Sequence, residues 1–282
     1  MILFDQAGTA ASSATMFKVP LALQPFVEHF WTLRESLPSN AQRWRIPPDA
    51  NPYLIFTVSR SASGRSHADC RLVGPATGFF DMPVAGRVFT CGARLRPGVL
   101  PMLTRLPAST LTNDALHVDE IFGARGRRLL EQLSGALHID TQAPRLMASF
   151  LLREFRQDGA FRLLPARHVH SVQELAGMLG WSPRTLQTRV ADQVGLPPKL
   201  WLRIERLHRA IALAMQADRA WCDIALHCGF ADQAHMVREF VALLGESPGV
   251  WQRRNPFAPP GDSPHDEPGK PRAARPLDSP RA

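Results

Sequence analysis

The sequence predicts an α+β protein. A β-rich N-terminal domain, barrel-like or sandwich-like, leads through a helical segment into an all-α domain made of two copies of one helical hairpin joined by a long helix. Three observations predict this. Residues 19–110 read as short β-type runs broken by proline and glycine. Residues 111–160 switch to apolar stripes at helical spacing. Residues 171–254 carry one pattern twice.

Length and composition fit that division. At 282 residues the chain has room for two cores, and 45% hydrophobic with 21% charged residues is ordinary for a globular protein. No apolar run is long enough to predict a membrane span, and the N-terminus lacks the basic and apolar regions of a secretory signal. Four cysteines without a CxxC pair predict free thiols and a cytoplasmic setting. The net charge of +8 suits a polyanionic partner. Its distribution does not single out the repeat: residues 1–167 hold 19 basic against 13 acidic residues, and residues 168–254 hold 10 against 8. Locally, residues 182–209 concentrate Arg184, Arg189, Lys199, Arg203, Arg206 and Arg209 against Asp192 and Glu205.

Taken in order, residues 1–18 are small and polar and predict a flexible N-terminus. Strand candidates follow at 26–33, 53–58, 72–73 and 88–95, separated by turn-rich pieces such as residues 47–52, PPDANP. Pro97-Gly98 ends the last strong run, and 99–105 could form a short helix. Helical spacing then covers 118–122; 124–137, with Leu129, Leu130, Leu133 and Leu137 on one stripe; and 144–157, with Leu146, Met147, Phe150, Leu151 and Phe155. These stripes predict core packing or a dimerisation face. Residues 158–170 read as a hinge. Residues 255–282, with eight prolines, read as a disordered tail.

The repeat occupies residues 168–254. Leu175-Ala176, Gly180-Trp181, Leu186, Val190, Gly195, Pro198 and Trp201 recur as Ile224-Ala225, Gly229-Phe230, Met236, Phe240, Gly245, Pro248 and Trp251. The offset is 49 up to the Gly-aromatic pair and 50 after it, so the second copy carries one extra residue in its turn. In copy one, Ser171 and Glu174 predict a capping box, Gly180 a tight turn, and Ser182-Pro183 the start of the next helix. A small residue, a turn glycine and an apolar lock at this spacing describe a helix-turn-helix unit. Its second helix then has a free face for the major groove. Arg184, Gln187 and Thr188 stand on that face in copy one. Gln233, His235 and Arg238, with Ala234, stand there in copy two, behind an Asp232 N-cap. Arginine pairs bidentately with guanine and glutamine with adenine, so these types can read base edges directly. Residues 199–216 between the copies would span roughly 27 Å as helix, against about 34 Å for one turn of duplex, so the two units could address successive major-groove segments.

Residues 171–254 resemble the AraC/XylS family of bacterial transcription regulators. The residues that carry the resemblance are Leu175-Ala176, Ser182-Pro183-Arg184-Thr185-Leu186, Gly195-Leu196-Pro197-Pro198, Arg206-Leu207, Asp223-Ile224-Ala225, Gly229-Phe230-Ala231-Asp232-Gln233, Arg238-Glu239-Phe240 and Gly245-Glu246-Ser247-Pro248. The resemblance implies double-stranded DNA at promoters as the partner, with RNA polymerase, a second copy in a homodimer and an unidentified small-molecule effector as further candidates. It implies no cofactor. Two positions depart from the family pattern: Thr188 and Val190 stand where arginine and an aromatic are frequent, and His235-Met236 stand in an aromatic slot, as in a subset of members. The N-terminal half resembles the sensory domains of that subset through Pro20, Phe30-Trp31, Val73-Gly74 and Gly92-Ala93-Arg94-Leu95-Arg96-Pro97-Gly98, which implies a cupin-like domain.

Other chemistry-bearing residues read more plainly. Arg94 and Arg96 alternate on a strand and could hold an anionic effector or simply be salt-bridged. Cys70 and Cys91 could sense oxidants or be inert buried thiols. His168 and His170 lack a third metal ligand nearby, so no metal site is expected. Cys222, His227 and Cys228 read as packing residues, and His208 as a phosphate contact or a solvated helix position. No catalytic motif is present, so no enzyme activity is expected. The alternatives to a sequence-specific regulator are a cupin-like enzyme carrying a DNA-binding module and a nonspecific architectural DNA-binding protein.

Overall fold

The computed structural model describes residues 13–60, 66–155, 169–216 and 219–254. Six antiparallel strands form one sheet in the order β1-β2-β5-β3-β4-β6. They are β1 Ser13–Phe17, β2 Val27–Ile46, β3 Tyr53–Arg60, β4 Ser66–Val73, β5 Phe80–Leu95 and β6 Ala115–His117. The long strands β2 and β5 form the spine, paired from Val27↔Leu95 to Ile46↔Phe80, with register shifts between Val27 and His29 and between Leu37 and Gln42. The sequence marks only part of each, because Pro38, Pro83 and Gly86 interrupt the alternation while the ladder continues past them. Ser13–Phe17, inside the segment read as flexible, pairs with β2 from Ser13↔Arg34 to Phe17↔Phe30. A backbone ladder on an open strand edge needs no side-chain pattern, so the sequence carries no sign of it.

Helices cover one face of the sheet: α1 Leu100–Thr104, α2 Val118–Phe122, α3 Ala124–Ser134 and α4 Ile139–Phe155. Leu54, Phe56, Leu72, Cys91 and Leu95 from the strands meet Leu129, Leu133, Met147 and Leu151 from α3 and α4 in one core. Leu137, expected on the α3 stripe, lies beyond the helix end and is 91% exposed. Helix α4 begins five residues before the expected start, with Pro144 inside it, buried against the core. Its lost hydrogen bond is outweighed by the apolar stripe that the whole helix buries. The expected hinge at 158–170 lies almost wholly outside the described residues, as does the expected tail at 255–282.

The C-terminal helices are α5 Val172–Leu179, α6 Pro183–Val194, α7 Pro198–Gln216, α8 Trp221–His227, α9 Gln233–Leu244 and α10 Pro248–Arg254. Repeat-equivalent residues meet in one core: Leu175 and Ile224, Leu186 and Met236, Val190 and Phe240, Trp201 and Trp251, closed around Ile204, Leu207 and Ile211 of α7.

The two domains share a buried junction. Residues 46–52, which take in the turn-rich piece at 47–52, are all buried. Ala50 from this connection completes the helical core. His208 Nε2 of α7 lies 2.7 Å from the Pro48 carbonyl oxygen. A segment of prolines and polar residues reads as a turn by composition, but here a second domain covers it and its polar groups find partners. Asp49 accepts hydrogen bonds from Arg94 at 2.8 and 2.9 Å and from the Tyr53 hydroxyl, and its backbone partner is Asn51 N–H at 3.0 Å. Arg94 also donates to Glu28 and to Asn51 Oδ1 at 2.8 Å. Burial alone would raise the Asp49 carboxyl; Arg94 and His208 beside it, with the hydrogen bonds from Arg94 and Tyr53, hold it at about 2. The Arg94 guanidinium is therefore occupied by the chain's own carboxylates, which is the salt-bridged alternative for that residue. Arg96 donates to the Gln24 carbonyl at 2.9 Å.

Candidate nucleic-acid interface

Both hairpin turns close in the same way. After α5 the chain reverses through Gly180, whose φ of 65° only glycine takes without steric cost, and Trp181 N–H bonds to Ala176 O at 3.0 Å. After α8, Gly229 takes φ 79° and Phe230 N–H bonds to Ala225 O, again at 3.0 Å. The helices that follow are capped alike: Ser182 accepts from Thr185 N–H at 3.1 Å, and Asp232 from His235 N–H at 2.6 Å. Ser171 caps α5 by accepting from Glu174 N–H. The Glu174 carboxylate reaches back to His170 N–H at 2.8 Å, one residue upstream of a standard capping box.

The one extra residue of copy two is Ala231, between Phe230 and the Asp232 cap. Its N–H donates to His235 Nδ1 at 3.2 Å, while the His235 ring packs edge-on to Phe230 with centroids 5.6 Å apart. An insertion leaves a backbone donor without a helical partner, and the histidine one turn into α9 takes it. This explains histidine in the slot where the resemblance leads one to expect an aromatic.

On α6 the apolar residues Leu186, Val190 and Val194 are buried, while Arg184, Gln187 and Thr188 are exposed on the other side. On α9, Met236, Phe240, Leu243 and Leu244 are buried; Gln233, Ala234 and Arg238 are exposed and His235 half-buried. The structure therefore brings the expected trio of copy one onto one exposed face of α6; in copy two Arg238 stands directly opposite the buried stripe, Gln233 is exposed at the helix start, and His235 is half-buried. Two members carry prior commitments. Thr188 Oγ1 donates to the Arg184 carbonyl of its own helix at 3.2 Å, and His235 holds the turn.

The structure also gathers residues that the spacing did not assign. A cleft of about 470 Å³ lies among the start of α5, the first half of α7 and α9; its lining includes His170, Lys199, Arg203, Arg206, His235 and Glu239. Arg203 pairs with Glu239 at 2.7 Å, joining α7 to α9, and Arg206 stacks over Phe230 and donates to His170 O. The available signal was the 199-203-206-209 spacing, one basic stripe along α7; what it faces needs the fold. Arg189, by contrast, stacks over Trp181 at 4.9 Å and braces the first turn.

The remaining candidates fall on the structural side. Burial pushes the Cys70 and Cys91 thiols up, and Cys91 Sγ contacts Met147 Sδ at 3.3 Å. Burial likewise pushes the Cys228 thiol up. His168 lies outside the described residues, and among those described no group of three or more His, Cys, Asp or Glu is placed to hold a metal. His208 faces the sheet domain and is nearly buried, so it is neither a phosphate contact nor a solvated position.

Comparison with known proteins agrees with this geometry. Residues 175–254 match a helix-turn-helix domain family, and residues 16–117 match a domain of unknown function, DUF6597. The chain is similar to the HTH-type transcriptional activator RhaS of Klebsiella pneumoniae (strain 342), 38% identical over 76 residues, 27% of each chain. It is also similar to the putative HTH-type transcriptional regulator YkgA of Escherichia coli (strain K12), 32% identical over 88 residues, 31% of this chain and 37% of that one. The similarity spans well under half the length of these curated relatives. Among solved structures, ToxT of Vibrio cholerae O395 aligns over 88% of this chain and 99% of its own at 10% identity and a TM-score of 0.41. With two equivalent turns, caps and buried stripes, and with that family match, the C-terminal third of the chain is an AraC-type double helix-turn-helix domain, carried behind a DUF6597 domain.

Proposed function

We propose that the chain is a sequence-specific transcription regulator that binds double-stranded DNA with both helix-turn-helix units and is controlled through its N-terminal sheet domain. One observation carries this reading: α6 and α9 share a buried scaffold, residue for residue, yet expose different side chains, Arg184, Gln187 and Thr188 on α6 against Gln233 and Arg238 on α9, with His235 half-buried beside them. Two equal scaffolds with unequal faces suit an asymmetric site spanning two major-groove segments. Helix α7, 19 residues long, would space them by about 28 Å. Control through the sheet domain is supported by the buried junction at residues 46–52, which ties the strands to α7. The similar curated proteins are named as transcriptional regulators, which supports regulation rather than catalysis, and a protein that works on chromosomal DNA belongs in the cytoplasm. No described helix is long and apolar enough to cross a membrane.

Selection of bound fragments from random duplex DNA tests the reading. Enrichment of one motif with two unequal halves is expected. Flat enrichment would replace it with nonspecific, architectural binding, for which salt alone sets affinity.

A further inference from the structure

The cleft between the two helix-turn-helix units has a chemistry that base reading does not use. Its walls come from both copies: His170 and Ser171 open the first unit, His235 lies on the second helix of the other, and Lys199, Leu202, Arg203 and Arg206 come from α7 between them. The contact is close: a Cβ built on Gly229, in the second turn, would stand 3.1 Å from His170 Nδ1. Three cations face the cleft and Glu239 neutralises only one, through its bidentate pair with Arg203 at 2.7 and 3.1 Å. Lys199 is exposed and has no hydrogen bond or ion pair among the described residues.

Behind the rim, positive charge is left uncompensated. Arg206 Nε, Arg209 Nε and Arg209 Nη2 are buried without a hydrogen-bond partner. Burial first, then Arg209 beside it, pull the Arg206 pKa below its ordinary value, the expected result when cations crowd without enough carboxylate. Among the described residues no acceptor meets these nitrogens, so hydrogen bonds to carboxylate do not offset the charge of either guanidinium. The cleft also shares His235 with the exposed face of α9, so an anion seated there would lie beside a duplex engaged by that face.

We propose that this cleft seats the DNA backbone between the two major-groove segments, with Lys199 and Arg206 taking phosphate oxygens. The inference rests on DNA being the partner. A seat in the saddle between the heads fixes register along the duplex without reading sequence, which is what phosphate contacts do. Arg203 stays paired with Glu239 and holds the α7 wall against α9.

The test is the salt dependence of DNA affinity, measured on a selected target and on random duplex, for wild type, Lys199→Gln and Arg206→Gln. Each phosphate contact contributes about 0.9 to the slope of log affinity against log salt. Each variant should lower that slope by about one and weaken target and random DNA several-fold alike, leaving base preference unchanged. Lys199 is exposed, so its variant reads the seat even if Arg206→Gln disturbs the packing on Phe230. Unchanged slopes in both variants, or a loss confined to the target, would overturn the seat. So would displacement of DNA by millimolar inorganic phosphate at constant ionic strength, which would mark a site for free anions. If wild type shows no sequence preference but the slopes still fall, the base-reading assignment fails and the seat stands. If a motif is selected but the slopes stay unchanged, base reading stands and the seat fails.

Discussion

Gly195 and Gly245 stand at the same place in the two copies, each capping the C-terminal end of its second helix, and the sheet domain covers both. A Cβ on Gly195 would lie 2.7 Å from Pro75 Cγ and 2.9 Å from Ala108 O; one on Gly245 would lie 2.5 Å from the Phe79 ring. Thr112 donates to Gly195 O at 2.6 Å, and Phe79 N–H to Leu243 O at 3.2 Å. Arg45 stacks on Phe79 and reaches toward Leu244 O. The sheet domain thus holds the C-terminal ends of both α6 and α9 and leaves the ends bearing Arg184 and Gln233 uncovered.

Gly180 separates conformational strain from this contact. It takes φ 65° with nothing near its absent Cβ, so Gly180→Ala should cost about 1–2 kcal/mol, the left-handed penalty alone. Gly195→Ala adds a clash with backbone and proline to its φ of 85° and should cost clearly more. Urea midpoints of the two variants check this; equal losses would mean that the contact at Gly195 relaxes freely.

Arg238 is exposed on α9 with no ion pair among the described residues, free to reach a base edge. Arg238→Ala should weaken specific binding by about 1–3 kcal/mol and relax one base position in the selected motif. Unchanged affinity and preference would remove Arg238 from the reading face.

His208 joins the domains through the Pro48 carbonyl, and both groups are buried. His208→Leu leaves that oxygen unpaired, at a cost of about 1–3 kcal/mol. Hydrogen exchange should then quicken at residues 49–51 and along α7 while the α3–α4 core keeps its protection. Uniform quickening would show that the junction is not a separable element.

His29, opposite Arg94 in the ladder, has its pKa lowered to about 4, chiefly by burial. An unfolded chain binds the proton below about 6.5, and the folded one only near 4. The unfolded state therefore binds more protons across that window, and stability falls as pH drops from 6.5 to 4. His29→Asn should flatten this part of the urea-midpoint profile relative to wild type. Parallel profiles in the two proteins would assign the acid sensitivity elsewhere.

What the chain specifies without its fold is local. Ser171, Ser182 and Asp232 stand at helix starts because each offers an oxygen to an N–H three residues on, and Gly180, Gly195 and Gly245 end helices because each must take positive φ. The spacing of Leu186, Val190, Met236 and Phe240 placed one face of each helix inside and so left the other outside. Tertiary packing settled the rest. It buried residues 47–52, which composition marks as turn-rich, and drew Ser13–Phe17 into a sheet through backbone groups that every sequence carries. It brought His170, Lys199, Arg206 and His235 around one cleft, and it laid Thr112 and Phe79 over equivalent glycines about 50 positions apart. Caps and stripes follow from bonds within one or two turns of chain. These other features arise from groups that meet only in the folded chain, within one domain or between the two, and no periodicity records them.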